Sequence, residues 1–147
     1  MELYLRQACV TDLPAIYRGE ESYIQTWEPL HEAAWRSQLE RHLTCWVENF
    51  ERLTVAVMGD DLVGYSLWLA ESGYAELCTI SVASEYRRRG IGRMLLEAYT
   101  VEAAKKGFTR LRLSVRPDNP AKLMYEAAGF VYTGLGAHDY LSYERNE

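Results

Sequence analysis

A chain of 147 residues with 48% hydrophobic and 25% charged side chains has the size and make-up of one ordinary globular domain, spanning 1–147, and excludes collagen-like or wholly disordered chains. No apolar run approaches the roughly 20 residues that cross a bilayer, and Met1–Arg6 lacks the basic and apolar blocks of a secretory signal, so the expected location is the cytoplasm with no membrane partner. The formal charge of −5, from 16 basic and 21 acidic residues, has the wrong sign for a phosphate backbone, disfavours nucleic acid as a partner and leans the substrate toward cations.

Residues 3–8 alternate as a first strand. Thr11 and Asp12 then supply a cap, with Pro14 in the first turn, for a short helix over about 12–20. Residues 21–30 are aromatic and acidic without clear period, after which Trp35, Leu39, Leu43, Trp46 and Phe50 recur at helical spacing and predict one helix over 31–50. Strands follow at 54–58 and 62–68, joined by Gly59-Asp60-Asp61, and at 75–82, entered through Ser72-Gly73, making an antiparallel meander. A long helix opens after Gly92 with apolar positions 91, 94, 95, 98 and 101 on one face and closes at Gly107. A strand at 110–115, a helix of about nine residues between Asn119-Pro120 and Gly129, and strands at 130–133 and 140–144 complete the chain. The strand–helix–strand unit from 75 to 115 should pair in parallel. Cys9, Cys45 and Cys78 form no C-x-x-C pair and are expected to be reduced, buried and structural.

The sharpest local feature is Arg87-Arg88-Arg89-Gly90-Ile91-Gly92 between a strand and the long helix. Glycines let the backbone approach a ligand, and the first helical turn leaves amides unpaired at the positive end of the dipole. Both suit a phosphate or pyrophosphate, with the arginines adding charge. Leu95 stands where a dinucleotide fingerprint needs its third glycine, and no G-K-S/T follows, so NAD and ATP lose their main support.

This segment matches Q/R-x-x-G-x-G/A, and the chain resembles the GNAT N-acetyltransferase superfamily over nearly all its length. Ala75-Glu76-Leu77 is similar to the start of the family's fourth strand, and Asn119-Pro120-Ala121 with Tyr125 to Phe130 is similar to its N-x-x-A and L-Y-x-x-x-G-F segments. The resemblance implies an α/β (α+β) fold: a mixed central sheet of six or seven strands, about four flanking helices, and a splayed gap between the fourth and fifth strands. It also implies acetyl-coenzyme A as co-substrate, with no metal. Backbone groups of Ile80 and Val82, with Ser81 between them, would meet the pantetheine arm. Residues 87 to 92 would hold the pyrophosphate, and Asn119, otherwise a plain helix cap, would contact the coenzyme.

Acyl transfer to an amine needs a neutral amine, a stabilised oxyanion and a proton for the departing thiolate. Tyr125 matches the family tyrosine that protonates the sulfur, and Glu76, 11 residues before Arg87, stands where one branch carries its base. Either could be bland, Tyr125 a half-buried aromatic and Glu76 a solvated or amine-binding carboxylate. Cys78 shares the strand but has no activating partner nearby, so covalent catalysis is disfavoured. In this family the acceptor is read by the first helices and last strands, here Glu20, Glu21, Tyr23, Trp27, Glu28, Trp35, Tyr132, His138 and Tyr140, carboxylates and aromatics suited to a cationic amine or else core staples and a solvated face. His31, His42 and His138 share no ligand spacing.

Two departures stand out. The ribosomal-protein alanine acetyltransferase branch carries a glutamate five residues before the asparagine, where this chain has Ser114, which disfavours that branch unless Glu76 or water substitutes. The step from Asn119 to Tyr125 is one residue shorter than usual, turning Tyr125 by about 100° on a regular helix. The expected activity is transfer of acetyl to a primary amine by direct attack in a ternary complex, a small cationic amine first, a protein amino terminus or lysine as alternative. A non-catalytic acyl-coenzyme A sensor and a toxin acting on aminoacyl-tRNA are the rivals, and dimerisation is common in such proteins.

Overall fold

The computed structural model describes residues 2–147. Twelve elements follow one another: β1 (Leu3–Gln7), α1 (Leu13–Trp27), α2 (Glu32–Arg36), α3 (Leu39–Glu48), β2 (Leu53–Met58), β3 (Asp61–Ala70), β4 (Ala75–Val82), α4 (Ile91–Lys105), β5 (Arg110–Val115), α5 (Ala121–Ala127), β6 (Val131–Leu135) and β7 (Leu141–Asn146). The strands make one sheet in the order β1-β2-β3-β4-β5-β7-β6, antiparallel except where β4 meets β5.

Strand alternation divides the core between the two faces. Leu53, Val55 and Val57 of β2 join Tyr65 and Leu67 of β3 under Ile16 of α1 and Trp46 of α3. Ala56, on the opposite face of β2, packs with Val63 against Ile91 and Leu95 of α4. Residues 63–68 of β3 are buried without interruption, as a strand covered on both sides must be. A third cluster holds Leu77, Leu111, Leu113 and Tyr143 beneath Leu96 and Tyr99 of α4 and Tyr125 of α5.

The crossover from β4 through α4 to β5 yields only three paired positions: Ala75 with Leu111, Glu76 with Arg112, and Leu77 with Leu113. Beyond them the strands part. Leu67 of β3 faces Thr79 while Trp68 faces Leu77, so Cys78 is an extra residue, a bulge that bends β4 where the pairing stops. Below the parting, the buried Tyr99 hydroxyl lies 3.0 Å from the Ala75 carbonyl and 3.1 Å from that of Arg112, fastening β4 to β5 from the helix above.

Three local expectations differ from the structure. Helix α1 runs on to Trp27 rather than ending near 20, because Ile16, Glu20, Tyr23, Ile24 and Trp27 continue one stripe facing the sheet. Gly19 lies inside it, where an added Cβ would come 2.6 Å from the Tyr65 ring and hydroxyl, so the bare backbone lets that side chain lie against the helix. The single helix expected over 31–50 is two, raising the helix count to five: the Ser37 hydroxyl donates to the Ala34 carbonyl at 2.7 Å and competes with the helical bond that would have continued α2. The cysteines are free but not buried as expected, Cys9 and Cys78 being exposed and Cys45 half-buried. Gly107 and Gly129 do end their helices, each at φ 92°. Among the described residues no helix is long and apolar enough to cross a membrane.

Leu95 is fully buried between α4 and the sheet, so Leu95→Ala should cost about 2–5 kcal/mol, and Tyr99→Phe, which removes only the fastening hydroxyl, about 1–2 kcal/mol. Urea unfolding checks both as a lower midpoint at unchanged slope. Near the amino terminus Arg6 donates to both oxygens of Asp12, at 2.8 and 3.0 Å, and holds that carboxyl below its usual 3.8. A lowered native pKa means stability present above the unfolded value and lost as pH falls through the native one. Asp12→Asn should therefore destabilise at neutral pH and show a shallower loss in acid unfolding curves below about pH 4.

Candidate active site

The parted strands leave half of β4 with an open edge. The Ala83 amide donates to the Val63 carbonyl at 2.8 Å, and in an antiparallel ladder the bonds to one neighbour fall on alternate residues. Ser81 and Thr79 therefore turn their backbone groups toward β3, while Ile80 and Val82 turn theirs into the gap. The Val82 carbonyl accepts from Arg87 Nε at 3.2 Å, which draws the arginine loop back over the strand end.

That loop is shaped by two left-handed residues, Arg88 at φ 64° and Gly90 at φ 81°. The first helical bond of α4 joins the Met94 amide to the Gly90 carbonyl at 3.0 Å, so the amides of Ile91, Gly92 and Arg93 have no helical acceptor and point out along the positive end of a 15-residue helix. Arg87, Arg88 and Arg89 are exposed around it, Arg89 lying 5.3 Å over the Tyr86 ring. A cavity of about 480 Å³ runs along these groups, lined by Ile80, Ser81, Val82, Arg87, Arg88 and residues 90–93, with Tyr23 and Trp27 of α1 on its far wall. An open strand edge leading to unpaired helix-terminal amides fits an extended acyl-coenzyme A with its diphosphate at the loop.

A second cavity, about 260 Å³, opens at the bulge and shares Tyr23, Ile80, Asn119 and Ala121 with the first. It is walled by Glu20, Tyr23 and Glu28, by Cys78 and Thr79, by Ser114, and by Tyr125 and Tyr140. Tyr125 is 5% exposed, makes no side-chain hydrogen bond among the described residues, and is pushed well above its ordinary pKa by burial, then by Tyr23. The missing residue between Asn119 and Tyr125 is absorbed at the start of α5: Lys122 and Leu123 donate to the carbonyls three residues back, a tighter winding that still delivers Tyr125 to the cleft. Asn119 caps the helix, its Oδ1 accepting the Ala121 amide at 2.9 Å, and lines both cavities.

The carboxylates divide sharply. Glu20 Oε2 accepts from the Tyr65 hydroxyl at 3.0 Å and the Thr79 hydroxyl at 3.4 Å, and desolvation raises its pKa to about 6 against the pull of those bonds. Glu28 lies 3.9 Å from Arg116, whose guanidinium is 6.0 Å from the Tyr140 ring centre. Glu21 pairs with Arg36 at 2.7 Å on the surface and does not line the cleft. Glu76 lies in the paired part of β4 opposite Arg112, outside both cavities; burial raises its pKa, and its Oε2 is buried without a partner. Cys78 opens into the cleft, where surrounding protein, then Glu76, pushes its thiol up to about 12, far from a ready thiolate. Tyr132 is half exposed and packs on Tyr143, away from the cleft.

Thr79 and Tyr65 had no signal in the sequence, since only the bulge and the Gly19 gap bring them to Glu20. Glu20 itself had one: a carboxylate on the apolar stripe of α1, visible once the helix is extended to Trp27.

The model of the Acetyltransferase (GNAT) family matches residues 13–130. Among curated proteins, the ribosomal protein bS18-alanine N-acetyltransferase of Escherichia coli (strain K12) is 33% identical over 122 residues, 82% of this chain and 75% of that protein. The protein of the same name from Salmonella typhimurium is 34% identical over 107 residues, 67% and 72% of the two chains. Ser114 spoke against that branch, yet the similarity runs to it, so the chain resembles these proteins without the glutamate at that place. Among solved structures, the PaiA N-acetyltransferase from Thermoplasma acidophilum in complex with coenzyme A matches the whole of both chains with a TM-score of 0.83 at 20% identity. The ribosomal-protein-alanine N-acetyltransferase from Brucella melitensis gives 0.80 at 24% identity over 98% of this chain and 99% of its own, and both share the fold. With the sheet, the splay and the arginine–glycine loop in place, the chain belongs to the GNAT acetyltransferase family and is an acetyl-coenzyme A-dependent acyltransferase.

Proposed function

We propose that the protein transfers acetyl from acetyl-coenzyme A to a primary amine by direct attack in a ternary complex, and that the acceptor is the amino terminus of a protein. The observation that carries it is the meeting of two cavities at the parting of β4 and β5, one along the open strand edge and one walled by Tyr125. The curated relatives support the acceptor, being named for N-acetylation at an alanine of ribosomal protein bS18, a residue whose side chain carries no amine. A small cationic amine is the second reading, favoured by Glu20 and Glu28 set among Tyr23, Trp35 and Tyr140 in a cleft of about 260 Å³.

Acetyl-coenzyme A supplies the thioester carbonyl as electrophile. The backbone groups of Ile80 and Val82 orient the acyl arm along β4, and a free amide of that strand faces the carbonyl oxygen. The amides of Ile91, Gly92 and Arg93, with Arg87, Arg88 and Arg89, hold the diphosphate against the α4 terminus. Tyr125, whose phenol keeps its proton at neutral pH and, being buried, keeps it more firmly than a free tyrosine, donates to the departing sulfur. The bulge leaves Cys78 facing the same space with its proton held, so the amine attacks directly.

Tyr125→Phe should reduce kcat about 10²- to 10³-fold with coenzyme affinity within about twofold by calorimetry, since the ring remains. Thiol release should be followed with an alanine-initiated peptide, a polyamine and an aminoglycoside as acceptors. Full activity in the variant would overturn the acid role. Turnover of the polyamine or aminoglycoside but not the peptide would move the acceptor to the second reading, and coenzyme binding without turnover of any acceptor would favour a sensor.

A further inference from the structure

We propose that Glu20 of α1 is the proton acceptor for the incoming ammonium. The proposal rests on the acyl-transfer reading above and names the base within it. Ser114 and Glu20 line the same cleft, one from the sheet and one from the helix across it, together with Tyr125.

Glu20 is distinguished from the other carboxylates by what surrounds it. Glu28, the other acid in the cleft, faces the Arg116 guanidinium, and Glu21 faces Arg36. Glu76 stands opposite Arg112 outside the cavity. Against Glu20 lie the Tyr65 hydroxyl of β3, the Thr79 hydroxyl and the Cys78 thiol of β4, and the Tyr23 phenol of its own helix, with no ion pair to Glu20 among the described residues. Both hydroxyl donors engage Oε2, so Oε1 is the atom left for a cation arriving in the cleft. The Tyr65 hydroxyl lies in the space left by the missing side chain of Gly19, within reach of Oε2. A desolvated carboxylate with neutral donors behind it and no competing cation attracts an ammonium and takes its proton more readily than a carboxylate already paired.

The step balances as follows. The acceptor R–NH3⁺ gives one proton to Glu20 Oε1, freeing the nitrogen lone pair. That pair forms the N–C bond to the acetyl carbonyl as the C–S bond breaks; Tyr125 protonates the sulfur, and the surplus proton on the new amide nitrogen restores the phenol. One proton leaves through Glu20 per turnover.

Two measurements on the full chain test this. Carbon-13 NMR of glutamate-labelled protein should show a carboxyl titrating near pH 6 that is absent from Glu20→Gln; no such carboxyl, or its persistence in the variant, overturns the proposal whether or not an acceptor has been found. In thiol-release assays with the best acceptor of the panel, Glu20→Gln should lower kcat/KM about 10²- to 10³-fold at pH 7. The loss should shrink as pH rises through the acceptor's own pKa, and it should be small for hydroxylamine, which is already neutral at pH 7. Glu76→Gln, assayed alongside, should cost far less. A Glu20→Gln deficit equal at every pH and for both amines marks a structural role, and a larger deficit in Glu76→Gln moves the base to β4; either result sinks the proposal. An inactive wild type that still shows the titrating carboxyl would count against the acyl-transfer reading instead.

Discussion

Everything at the site depends on where the β4–β5 pairing stops. Three positions of parallel ladder are enough to fix the two strands side by side, and Tyr99 fastens that end from above through two backbone carbonyls. The Cys78 bulge then bends β4 away, so the strand edges that a sheet would ordinarily pair are left facing one another across a gap. Unpaired backbone in a protein interior is costly unless something satisfies it. Here the open edge is available to an extended ligand that could pair with it as a strand would. Burial of Leu77, Leu113 and Tyr125 in one cluster beneath α4 keeps the opening from collapsing.

The same sheet also separates two electrostatic environments that a net charge of −5 conceals. At the carboxyl end of β4 the arginine loop and the α4 terminus are cationic. Across α1 the cleft is acidic and aromatic, with Glu20 and Glu28 on its wall. The two environments meet where the cavities share Tyr23, Ile80, Asn119 and Ala121, so an anionic group is favoured at one end and a cationic one at the other.

Much of this was legible in the sequence where a residue's role is local. Gly90, Gly107 and Gly129 each occupy the left-handed conformation their positions required, and the strand–helix–strand unit pairs in parallel. The arginine–glycine turn does open a helix with unpaired amides, because a helix start is an electrostatic feature readable from a few neighbouring residues. What escaped was tertiary. The aperiodic stretch after Glu20 is helical because the sheet covers its stripe, and Ser37 breaks the next helix by a side-chain bond that periodicity does not register. Glu76 and Cys78 share a strand, but the bulge at Cys78 resets the alternation between them, and no single-strand pattern announces a bulge. The resemblance drew attention to Glu76 through its distance from Arg87; the acidic wall of the cleft also comes from Glu20, 56 residues earlier in the chain, which only the folded sheet brings there.

Gly19 shows how backbone and chemistry are joined in this chain. On an isolated helix alanine would be the better residue by roughly 1 kcal/mol, and nothing in the α1 backbone forbids it. The methyl would nevertheless occupy the space of the Tyr65 hydroxyl, the group that holds one oxygen of Glu20. A change that favours the helix would therefore push Tyr65 off the carboxylate and leave Thr79 as its remaining donor, so the vacancy at residue 19 sets the surroundings of a cleft carboxylate as well as the packing of the helix.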